Sequence, residues 1–65
     1  MFFLHGKEMG VVWSVVGQMS HENLPFAIVT VGSTQRRTEV CDSEEEAKEA
    51  GRHLLADMIE ELVYV

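Results

Sequence analysis

The sequence predicts an α+β fold: an antiparallel meander of three to four strands followed by one long C-terminal amphipathic helix packed on one sheet face. Three observations carry this expectation. Residues 2–41 contain runs rich in β-branched and aromatic side chains, punctuated by Gly, Asn, Pro and Ser. The stretch "DSEEEAKEA" (42–50) has the composition of a helix N-terminus. Beyond it, apolar residues recur at spacings of three and one, the period of a helix with a single buried stripe.

The first run, "FFLH" (2–5), is a short strand, and "GKEMG" (6–10) is the turn after it. "VVWSVVGQM" (11–19) is a long strand that places Val11, Trp13 and Val15 on one face and Val12, Ser14 and Val16 on the other. A second turn, "SHENLP" (20–25), puts Pro25 at a strand entrance, where its missing N–H does least harm. "FAIVTV" (26–31) is almost wholly apolar. After "GSTQ" (32–35), "RRTEVC" (36–41) alternates, with Thr38 and Val40 opposed to Arg37 and Glu39.

Ser43 followed three residues later by Glu46 is a capping box, and Glu44, Glu45 and Glu46 occupy the first turn, where the helix dipole favours negative charge. The stripe Ala47, Ala50, Gly51, Leu54, Leu55, Met58, Ile59 and Leu62 defines a helix from about 44 to about 62, roughly 28 Å long. Lys48, Glu49, Arg52, His53, Asp57 and Glu60 fall on its solvent side, with Glu44 and Lys48 spaced for an ion pair. A glycine inside a helix costs up to about 1 kcal/mol relative to alanine. Gly51, placed on the stripe beside Ala47 and Ala50, therefore predicts close approach of the helix to a strand, beneath Trp13.

Sixty-five residues make one domain, 1–65, and a chain of this size buries only roughly 60% of its unfolded surface. Cys41 is the sole cysteine, which excludes an intrachain disulfide and fits a reducing cytoplasm. No apolar run approaches the roughly 20 residues of a membrane span, and "MFFLH" lacks the form of a signal peptide, so the sequence is expected to be mature as it stands. The net charge is −6, from 11 acids against 5 bases, which opposes general phosphate binding.

Chemistry-bearing residues are sparse. His5, His21 and His53 show no zinc spacing, and no metal or cofactor is expected. Cys41 precedes a helix N-terminus, which lowers a thiol pKa, but Asp42 and three glutamates push it the other way. There is no nucleophile–base pair and no glycine-rich phosphate loop, so an enzyme is not expected. The resemblance of "DSEEEAKEA" to the acidic helix entry of HicB-type antitoxins covers that junction alone and implies no more than the helix start.

One helix covers one sheet face, yet residues 11–31 are apolar on both faces, where a half-wet antiparallel sheet alternates cleanly. The sequence therefore predicts a non-catalytic protein-binding module with Val12, Val16, Ala27, Val29 and Val31 as an association surface, occupied by a second copy in a homodimer or by another protein. The chain's own ends, Phe2, Phe3 and "VYV" (63–65), are further candidates to cover it. An alternative is an acidic nucleic-acid mimic of the phage-inhibitor type, using Glu45, Glu49, Asp57 and Glu60. A third reading is a small sheet-based DNA- or RNA-binding domain, similar in outline to integrase arm-binding domains, with Lys7, Arg36 and Arg37 beside Trp13, Phe26 or Tyr64. The acidic balance makes it the weakest of the three.

Overall fold

The computed structural model describes residues 1–64. Four antiparallel strands precede one helix: β1 (Phe3–Glu8), β2 (Val11–Met19), β3 (Pro25–Val31), β4 (Thr34–Arg37) and α1 (Glu44–Val63). Each strand pairs with its sequence neighbour, giving an open sheet in the order β1-β2-β3-β4 with α1 packed on one face. The expected α+β architecture is therefore present, and the first strand belongs to the sheet.

The turns are tighter than the sequence predicts. Between β1 and β2 only Met9 and Gly10 turn, both at positive φ (48° and 79°), the backbone of a two-residue hairpin whose twist matches the strands. Gly6, expected in that turn, lies within β1 because the Trp13 indole crosses over it. A Cβ on Gly6 would stand 2.5 Å from that ring. Gly32, at φ 60°, does the same between β3 and β4, so β4 begins at Thr34 rather than 36. Beyond Arg37 the chain stays bonded to β3, the Thr38 N–H donating to the Ala27 carbonyl and the Cys41 N–H to the Pro25 carbonyl. Three residues thus advance on one strand against two on the other. That extra residue is a β-bulge, which ends the regular strand before the expected "TEVC".

The loop from Ser20 to Leu24 sets the parity of the whole sheet. Five residues separate the paired Met19 and Pro25, so odd-numbered residues of β2 lie opposite odd-numbered residues of β3: Val15 opposes Val29, and Trp13 opposes Val31. These side chains point beneath the helix, where Val15, Ala27 and Val29 are fully buried with Val31, Ala47 and Met58 around them. Trp13, Leu4, Phe2, Leu54 and Leu55 pack on this core from its margins. Ala27, Val29 and Val31 are therefore core and not an association surface, a correction that follows directly from the parity. Val12 and Val16 do lie on the opposite, open face.

The helix starts as expected, with the Ser43 hydroxyl accepting from the Glu46 N–H at 3.2 Å. The reciprocal half of the capping box differs, because the Glu46 carboxylate meets the Ser43 hydroxyl at 3.5 Å. Glu44 pairs with the Met1 ammonium at 3.0 Å, so the expected Glu44–Lys48 pair is replaced. Gly51 explains itself: a Cβ there would come within 2.6 Å of Val15 Cγ1 and 2.9 Å of Ala27 Cβ. The close approach is to β2 and β3, while Trp13 serves as the lid over Gly6. The stripe is buried at Ala47, Gly51 and Met58 and opens toward its end, where Leu62 is exposed.

The molecule exposes 4582 Å² for a mass of 7.3 kDa, against about 4,200 Å² for a closed monomer of that mass. The excess is what a two-layer fold with one uncovered sheet face should show. Val63 and Tyr64 are exposed and do not fold back over that face, and Val65 lies outside the described residues.

Candidate functional site

The open face is built from cross-strand rows, because residues in register on neighbouring strands stand side by side. One row runs Phe3, Val16, Ile28 and Arg37 from β1 to β4. The next runs His5, Ser14, Thr30 and Gln35 and is wholly polar, with the Gln35 amide donating to the Thr30 hydroxyl at 3.2 Å. Lys7 and Val12 form a third pair beyond it, and Gln18 and Phe26 a fourth on the other side. Apolar exposure is therefore concentrated at one end of the face rather than spread across it.

That end holds Phe3, Val16, Ile28 and Phe26. Phe3 is 62% exposed and stacks on His5, with ring centroids 5.2 Å apart. Val12 is equally exposed, at 63%, but the polar row separates it from the others. None of the residues that the four strands point to this face is a carboxylate, while Lys7 and Arg37 flank it on the outer strands. Arg37 lies over the Phe26 ring at 6.0 Å, a cation–π placement.

The bulge and the Ser20–Leu24 loop extend this end into a groove of about 450 Å³, lined by Met19, Ser20, His21, Phe26, Arg37, Thr38 and Val40. The Ser20 hydroxyl accepts from the N–H groups of Glu22 and Leu24, which ties the loop that forms one wall. Opposite, Thr38 accepts from the Ala27 N–H and donates to the Glu39 carbonyl, fixing the bulge.

The acidic residues gather on the helix. Glu45, Glu49, Asp57 and Glu60 are all exposed, and their spacing places them within an arc of roughly 120° over about 22 Å of helix. Glu49 meets His53 at 3.3 Å. Glu61 leaves the group, because it reaches the sheet and takes a two-pronged contact from Arg36 at 3.1 and 3.2 Å. Lys7 and Arg37 on the sheet face and the carboxylates on the helix thus give the molecule two sides of opposite sign.

Cys41 is half-buried, and its thiol donates to the Glu39 carbonyl at 3.5 Å. Burial pushes its pKa above the ordinary thiol value, and the carboxylates of Glu46, Asp42 and Glu39 push it further. A helix N-terminus alone would act in the other direction. Among the described residues, no group of three or more His, Cys, Asp or Glu side chains is placed to hold a metal ion. No helix among them is long and apolar enough to cross a membrane.

Of the residues singled out from sequence, the structure brings together Val16 with Phe3, Ile28 and Phe26. It sets Val12 apart and removes Ala27, Val29 and Val31 to the core. The contribution of Phe3, Ile28 and Phe26 was hidden, since alternation inside an all-apolar run gives no sign of which parity faces the helix. Comparison of the chain with family models, with curated proteins and with solved structures finds no match in any of the three.

Proposed function

We propose that this protein is a small, non-catalytic binding module that associates through the open sheet face, with a second copy as the occupant. The observation that carries the reading is the unbroken apolar row of Phe3, Val16 and Ile28, continued by Phe26, on a face that none of the described residues covers. Two such sheets stack at about 10 Å with their strands nearly aligned. Only about half of the face is apolar, so little apolar surface drives the contact, and association is weak and concentration-dependent. The single thiol, Cys41, fits a cytoplasmic setting.

Light scattering on a sizing column across a dilution series is the test. Mass should rise from monomer toward dimer with concentration, and Val16→Glu or Ile28→Glu should hold the chain monomeric at every concentration. A wild-type chain that stays monomeric at high concentration overturns self-association.

The second reading, capture of a basic partner by the helix, is favoured by the alignment of Glu45, Glu49, Asp57 and Glu60 along one side. It requires binding that weakens with salt and with charge reversal at Glu45 and Glu49. Binding indifferent to both changes disposes of it. The open face carries too few basic groups for a nucleic-acid platform on an otherwise acidic molecule.

A further inference from the structure

The groove beside the apolar row has a chemistry of its own. Its floor and sides are apolar at Met19, Phe26 and Val40, and its polar lining consists of Arg37, His21, Ser20 and Thr38, with no carboxylate. Thr38 has both its hydroxyl roles filled. Ser20 accepts two backbone N–H groups on its oxygen, which leaves its O–H proton to donate. Arg37 makes no hydrogen bond or ion pair among the described residues, in contrast to Arg36, which Glu61 occupies. Held over the Phe26 ring at 6.0 Å, the Arg37 guanidinium faces a cleft that offers donors and apolar surface.

We infer that this groove binds a small aromatic carboxylate, with the carboxylate on Arg37 and the ring against Phe26, Met19 and Val40. A guanidinium recognises a carboxylate through two parallel N–H donors. A phenyl ring suits a floor made of one aromatic ring and a thioether, both of which favour aromatic contacts. The volume, about 450 Å³, lies in the range of small-ligand clefts. Because Arg37 is exposed, the affinity belongs on the order of 1 mM. The groove shares Arg37 with the Phe3–Val16–Ile28 row and Phe26 with the association surface, so a ligand here competes with a second copy but does not require one.

The test is a titration of the isotope-labelled full chain with 3-phenylpropionate, followed by amide chemical shifts. The expected result is saturable shifts confined to residues 19–21, 26 and 37–40, at least ten-fold weaker binding of the neutral 3-phenylpropionamide, and a similar loss in Arg37→Gln. Equal binding of acid and amide, equal binding by Arg37→Gln, or shifts centred elsewhere would overturn the assignment. A third arm uses the peptide acetyl-Gly-Gly-Phe with a free C-terminus. If it binds where the free acid does not, the groove is a site for chain ends, and the small-ligand assignment falls. Repeating the titration with Phe3→Ser, on the far strand, separates this site from the association surface, since its affinity should not fall, and a fall would mean that the ligand sits on the row instead.

Discussion

Ile28 and Val29 are neighbours in β3 and nearly alike in chemistry, yet they belong to different molecules in effect. Val29 is sealed between the sheet and α1 with no accessible surface, while Ile28 stands in the middle of the open row, flanked by Val16 and Arg37. The covered face is set by volume, where Gly51, Ala27 and Val15 touch so closely that a methyl group is too much. The open face is set by what surrounds it, a polar row on one side and a groove on the other. A single β-branched residue thus reports on packing in one position and on association in the next.

Substituting glutamate at both positions gives the largest contrast. Val29→Glu places an unpaired carboxylate in a dry core, a cost of several kcal/mol against a total stability of roughly 3–10 kcal/mol for a chain this size. It should abolish the cooperative thermal transition seen by circular dichroism. Ile28→Glu should melt within a few degrees of the native chain and lose only self-association. A folded Val29→Glu would mean that the two faces have been assigned the wrong way round.

A smaller change sharpens the covered face alone. Gly51→Ala gains up to about 1 kcal/mol of helix propensity but overpacks Val15 and Ala27, which costs about 1–3 kcal/mol. The net should be a fall in Tm of roughly 5–10 °C. A rise in Tm would show that the helix can lift off the sheet without penalty. Ser43→Ala, which removes the hydroxyl that anchors the helix start, should cost about 1 kcal/mol and leave the open face unaffected.

At the rim of the covered face, the exposed Arg36–Glu61 pair should contribute less than about 1 kcal/mol in a double-mutant cycle, fading with added salt. Cys41 supplies a pH-dependent check. Its pKa is raised on folding, so its contribution to stability is complete below the unfolded thiol value and is lost as pH rises through the folded one. Reaction with a thiol-directed reagent near pH 8 should accordingly be slower in the native chain than in urea. Equal rates in both states would remove the protection that burial and the carboxylates imply.

The helix was readable from the sequence nearly to the residue, because its cap, acidic first turn and 3.6-residue stripe each depend on local spacing. Gly51 also announced a close approach, although not its target. Strand membership was legible through β-branched runs, but β1 ran on to Glu8 and β4 shifted at both ends. Gly6 joined β1 because Trp13, seven residues away in sequence, covers it, and β4 ended early because of a bulge that no residue type marks. The association surface was only partly legible. Its parity depends on the five-residue loop 20–24, and an apolar run such as "FAIVTV" carries no alternation from which to recover it. The groove rests on the same loop and on the bulge, so it had no signature in the sequence at all.

The placement of α1 over β2 and β3 has a further consequence for the outer strands. β1 and β4 both lie beyond the helix: β1 is joined to the rest by its ladder with β2, the contacts of Phe2 and Leu4 with the core and the Met1–Glu44 pair, and β4 by its ladder with β3 and the Arg36–Glu61 pair. Local opening is therefore expected at these edges first, with the β2–β3 pair and the helix persisting. In hydrogen–deuterium exchange the amides of Leu4 and Gly6 should open well before those of Ile28 and Thr30, which face β2. Phe3 stands on the β1 edge, so the outermost member of the apolar row is expected to loosen before Val16 and Ile28 do.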